Sequence, residues 1–120
     1  MKIVPNTDPR VHVLTCSLTP LRGGKTQAVY QMLPVVAWEA AWNYDESIQP
    51  PLPVTIRGYM PSGYDHRRGD AVASLLYYPH EGKYGDGLDP FEVVPMLSLE
   101  QAKAYLVKAC RACLLERQKK

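Results

Sequence analysis

Hydrophobic and polar positions alternate over residues 11–18, with His12, Leu14, Cys16 and Leu18 on one side and Val11, Val13, Thr15 and Ser17 on the other. A period of two predicts a strand with one buried face. Residues 19–26, Thr-Pro-Leu-Arg-Gly-Gly-Lys-Thr, follow with the proline and paired glycines that suit a hairpin connection. The pattern over 27–44 fits two periods. Tyr30, Met32, Val36, Trp38 and Trp42 match a period of two, Trp38 and Trp42 also fall four apart, and Pro34 interrupts either. The favoured reading is a long, bent strand pairing back on the first, with a short helix after Pro34 as the alternative for its second half.

Residues 45–53 form a polar, proline-rich link whose prolines push their predecessors into extended geometry. Residues 54–60 then read as a third strand and 71–78 as a fourth, with a turn over 79–87. Residues 91–97 read as a short fifth strand, at an edge that tolerates Pro95. The last segment changes period. Ser98 followed three residues later by Gln101 is a capping box, which satisfies two orphan N–H groups at a helix start. From there Leu99, Ala102, Leu106, Val107, Ala109, Cys110, Cys113 and Leu114 fall on one arc, with Glu100, Gln101, Lys108 and Arg111 opposite. The expected fold is therefore α+β: an antiparallel sheet of four to five strands with one C-terminal helix, about 98–117, on one face.

Composition narrows the class. A chain of 120 residues is one domain able to bury roughly two thirds of its unfolded surface. Short termini, about 1–9 and 118–120, are expected to be flexible. Eleven prolines favour short strands and shaped loops over a helical bundle. Fourteen basic against twelve acidic side chains leave a net charge of +2, too little for a dedicated polyanion binder. No signal-peptide run and no membrane-length apolar stretch occur, and three cysteines, an odd number, suit a reducing compartment; a cytoplasmic protein is expected.

Several short patterns invite chemistry and fall short of it. Cys110 and Cys113 form a Cys-x-x-Cys pair, but near a helix C-terminus, where the dipole disfavours a thiolate. A zinc site would need Cys16 and a histidine as well, so buried core thiols are the expectation, with no metal and no cofactor. Arg22–Thr26 lacks the first glycine of a phosphate-binding loop, and His80-Glu81 lacks the second histidine of a metalloprotease helix. Asp86, Asp89 and Glu92 miss the calcium-loop spacing and read as turn residues.

The densest collection of functional side chains is residues 57–70, Arg-Gly-Tyr-Met-Pro-Ser-Gly-Tyr-Asp-His-Arg-Arg-Gly-Asp. Asp65, His66 and Asp70 could form an acid–base group, yet no nucleophile stands beside them, so no catalytic residue is assigned. Arg68-Gly69-Asp70 matches an integrin-recognition tripeptide, which carries no meaning without a secretion signal. Large, partly rigid side chains and arginines are enriched where proteins bury surface together. On that ground Arg57, Tyr59, Tyr64, Asp65, Arg67, Arg68 and Tyr84 are the candidate partner-binding residues. The leading expectation is a small non-enzymatic protein-binding protein, monomeric or homodimeric. It would be encoded by a phage or mobile element and dock as an inhibitor on a host protein complex, for example a defence nuclease in an anti-CRISPR-like role. One alternative is a nucleic-acid-binding accessory using the basic hairpin tip, the arginine loop and the basic tail. The other is a small enzyme using His66 with Asp65 or Asp70.

Overall fold

The computed structural model describes residues 2–40, 52–85 and 96–118. Eight strands and one helix follow in the order β1 (Lys2–Pro5), β2 (His12–Pro20), β3 (Thr26–Ala40), β4 (Leu52–Thr55), β5 (Gly58–Tyr59), β6 (Gly63–Asp65), β7 (Asp70–Tyr78), β8 (Lys83–Gly85) and α1 (Leu99–Gln118). Every strand pairing is antiparallel, and the sheet runs β5-β4-β3-β2-β7-β6, with β1 added to β3 and β8 to β7. The architecture is the expected α+β arrangement of one C-terminal helix on an antiparallel sheet. Among the described residues the strands number eight rather than four to five.

Two local features account for two of the extra strands, β5 and β1. Residues 54–60 are not one strand. Gly58 has φ of +94°, a left-handed conformation that lets the chain reverse between β4 and β5. Thr55 closes that turn, its hydroxyl donating to the Gly58 carbonyl at 3.0 Å and accepting from the Arg57 N–H at 3.1 Å. The N-terminal segment, expected to be flexible over 1–9, contributes β1, and Asn6 extends the attachment by donating to the carbonyls of Asp8 and Val35 at 2.7 and 2.8 Å.

β3 carries the architecture. Its first half pairs with β2 from Pro20↔Thr26 to His12↔Pro34, and its second half holds β1 and β4. A bulge between Val35 and Ala37 absorbs the irregularity at Pro34, so the backbone stays extended to Ala40 and the short helix allowed after Pro34 does not form over 35–40. Residues 41–44 of that reading, the acidic turn 86–92 and most of the expected strand 91–97 lie outside the described residues. Leu97 makes a single bridge to Tyr84.

The main core lies between α1 and the sheet. Ala102, Leu106, Cys110 and Leu114, spaced four apart on α1, press on Leu14, Cys16 and Leu18 of β2 and on Ala71 and Leu75 of β7. The capping box starts the helix as expected: Gln101 Oε1 accepts from the Ser98 N–H at 3.0 Å, and Ser98 Oγ accepts from the Gln101 N–H at 3.3 Å. The expectation of one buried face on β2 needs correction. Val11, Val13, Leu33, Val35 and Leu76 form a second apolar cluster with Trp38, Met60 and Tyr78, so Val13 and Thr15 are as buried as Leu14. The segment after β5 crosses that far face, pinned where Ser74 Oγ donates to the Pro61 carbonyl at 2.6 Å and meets Thr15 Oγ1 at 2.9 Å.

Candidate functional site

Antiparallel register decides which polar segments share an end of the molecule. Leu18 of β2 pairs with Ala71 of β7, so the β2–β3 hairpin tip and the β6–β7 turn leave the sheet at the same edge. α1 ends there too. Its last turns line a groove of about 910 Å³ against the hairpin tip, with Leu21, Lys25, Arg111, Leu114 and Leu115 among its walls. Arg117, one turn further, lies over the Tyr64 ring of β6 with its guanidinium carbon 4.6 Å from the centroid. A cation in the last turn is also favoured by the helix dipole.

The β6–β7 turn is built by Asp65. Its carboxylate accepts from the Arg67 N–H at 2.9 Å, and its carbonyl accepts from the Gly69 N–H at 2.8 Å. Gly69 takes φ of +72°, which a side chain would strain. These bonds use Asp65 as a turn brace and turn Arg67 and Arg68 outward, both exposed. Arg68 Nε stands 3.7 Å from Asp70 Oδ2. Asp70 is 4% exposed, and its other oxygen is buried with no hydrogen-bond partner among the described residues. His66 sits edge-on to Tyr64, ring centroids 5.1 Å apart, and its Nδ1 accepts from Arg117 Nη2 at 3.3 Å. Because arginine only donates, that contact puts the proton of neutral His66 on Nε2.

The candidates taken from 57–70 therefore divide between two supports. Tyr64, Asp65, Arg67 and Arg68 gather at the helix end. Arg57, in the β4–β5 turn, and Tyr59, on β5, reach onto β3: Arg57 Nη1 donates to Gln31 Oε1 at 3.0 Å, and the Tyr59 hydroxyl donates to the buried carboxylate of Glu39. The bond to Glu39, then desolvation, raises the Tyr59 pKa above its ordinary value. Tyr84 is not at the surface. It is 4% exposed, packed in the main core, and its hydroxyl lies 2.7 Å from His12 Nε2. His12 Nδ1 faces the Arg10 carbonyl at 2.9 Å, so Nδ1 carries the proton and Nε2 accepts from Tyr84. Burial raises the Tyr84 pKa.

Arg111 is the residue that the helical pattern assigns only to the solvent side, yet it walls the groove. The available signal was its place one turn before Leu114 and Leu115 near a basic helix end. With it, the end carries Arg22, Lys25, Arg67, Arg68, Arg111 and Arg117 against Asp65, Asp70 and Glu116, and two of those carboxylates are engaged inside the turn. The near-neutral total charge conceals this grouping.

The thiols lie elsewhere. Cys16 and Cys110 are buried, Cys113 is half-buried, and all three are free. Cys110 Sγ donates to the Cys16 carbonyl at 3.6 Å; hydrogen bonding with Cys16, then burial, pushes the Cys110 thiol well above its ordinary pKa. Among the described residues no three or more His, Cys, Asp or Glu side chains gather as metal ligands, and no helix is long and apolar enough to cross a membrane. No protein-family model matches the chain, and no curated protein or solved structure matches it.

Proposed function

We propose that this chain is a binding protein rather than an enzyme, and that its basic end docks on the phosphate backbone of a nucleic acid. The observation that carries the reading is the convergence of three cation-bearing elements, the hairpin tip, the β6–β7 turn and the end of α1, at one end of the sheet. Clustered Lys and Arg bind phosphates by releasing condensed counterions, a mechanism that needs local charge density rather than a large net charge. Tyr64, packed against the main core, holds the Arg117 guanidinium over its ring and so fixes that cation at this end. The engagement of His66 by Arg117, and of Asp65 by its own turn, argues for a braced surface over an acid–base pair.

Fluorescence anisotropy with a labelled single-stranded oligonucleotide of about 20 nucleotides tests the reading. Affinity should fall steeply between about 50 and 200 mM salt, and Arg67→Ala with Arg68→Ala should reduce the log–log salt slope by roughly 1–2. Absence of binding at about 50 mM salt, or binding indifferent to salt, overturns it.

A second reading is docking on a protein, as an inhibitor encoded by a phage or mobile element would dock on a host complex. It is favoured by the apolar exposure at the β4–β5 turn and on β5, where Ile56 and Tyr59 are 75% and 55% exposed. Under this reading a stoichiometric protein partner is retained in high salt and released by Tyr59→Ala or Ile56→Asp.

A further inference from the structure

We infer that the outer edge of β3, Thr26–Leu33, is a dimerisation strand that pairs antiparallel with the same edge of a second copy. β3 gives one edge of this segment to β2, and β4 begins only opposite Val35. Among the described residues, no strand pairs with the other edge, so alternate backbone N–H and C=O groups there face outward. Such an edge is a template for another strand, and soluble proteins normally blunt it with charge, proline, a bulge or shortness. Here the segment reads Thr-Gln-Ala-Val-Tyr-Gln-Met-Leu, with no charge of its own; the cations that reach it, Arg57 at Gln31 and Lys103 at Tyr30, come from other elements, and Pro34 and the bulge come only after it. Val29, Tyr30 and Met32 are 47%, 37% and 53% exposed along it.

The second copy is favoured over a foreign strand because the segment is complementary to itself. An antiparallel two-fold axis stands perpendicular to the sheet and keeps each face facing the same way. Ala28, Tyr30 and Met32, opposite Leu18, Cys16 and Leu14 of β2, share the helix-covered face. With the axis at Tyr30, small Ala28 meets the large Met32 of the other copy and the two tyrosines meet each other. Aromatic cross-strand pairs of this kind stabilise sheets. On the adjoining helix surface Lys103 Nζ lies 5.3 Å from the Tyr30 ring centroid.

Sedimentation equilibrium on the full chain, from about 1 to about 500 µM, should show a species of two 13.5 kDa chains that dissociates on dilution. Val29→Lys with Met32→Lys should raise the dissociation constant at least about 10-fold, with an unchanged circular dichroism spectrum. Tyr30→Cys, made with Cys16→Ala because Cys16 of β2 lies directly opposite in the same chain, should give a disulfide-linked dimer on mild oxidation, since directly opposed Cβ atoms lie about 4.5–5.5 Å apart. A monomer throughout the range, including one that binds foreign extended peptides, overturns the inference. So does a dimer that the two lysines leave intact, or a Tyr30→Cys protein that does not cross-link.

Discussion

Tyr84 shows how a single residue changes meaning between sequence and structure. In the sequence it is one more exposed aromatic anchor, because Lys83 before it and the Gly-Asp-Gly after it read as a turn. In the fold it is the middle of β8, and its ring meets His12 of β2 and Tyr77 of β7 at centroid distances of 5.5 and 5.0 Å. Nothing local to residue 84 encodes those neighbours, one of which is 72 positions away. Its titration follows from that burial. A phenol whose pKa is raised on folding holds its proton more tightly in the native state, so its contribution is fully present below the unfolded value of 10.0 and is lost as pH rises through the folded value. Stability should therefore fall on going above pH 10, and Tyr84→Phe should flatten that fall in urea titrations. At neutral pH the same variant loses the bond to His12 and should cost about 1 kcal/mol.

α1 was the most legible element. Its period, its capping box and its buried stripe were all local properties of residues 98–117, and the helix observed, Leu99–Gln118, begins at the residue after the cap. Ser98→Ala should lower stability by about 0.5–2 kcal/mol in thermal or urea unfolding, with the helix retained because Leu106 and Cys110 still anchor it. Strands were less legible. β2 was recognisable from alternation and β7 was read as a strand, but β4 and β5 merged into one because residues 54–60 conceal a reversal that Gly58 and the Thr55 hydroxyl produce. β3 was ambiguous for a related reason. Pro34 stops a helix or a central ladder equally well in sequence, and the choice fell to partners on both sides, β1 and β4, that hold the chain extended beyond it.

For the molecule as a whole, the thiols report on integrity of the core. Cys16 and Cys110 are sealed between α1 and β2, and the raised pKa of Cys110 keeps it protonated, so in native protein both should resist a thiol reagent while half-buried Cys113 reacts first. The expected reading is one fast thiol, and two that appear only with global unfolding; three fast thiols would show a loose helix–sheet contact. The basic end is also a property of the whole. Arg22 and Lys25, Arg67 and Arg68, and Arg111 and Arg117 are three separated pairs in the chain, each unremarkable against a net charge of +2. By itself, the sequence determined the fold class, the C-terminal helix with its cap and the first hairpin, because periodicity, capping and glycine placement act within a few residues. The tertiary structure alone decided that β2 is covered on both faces, that Arg57 and Tyr59 part from Tyr64, Arg67 and Arg68, and that three basic segments meet. Those outcomes depend on strand register and on where a chain crosses a sheet, and both are set by contacts between residues far apart in sequence.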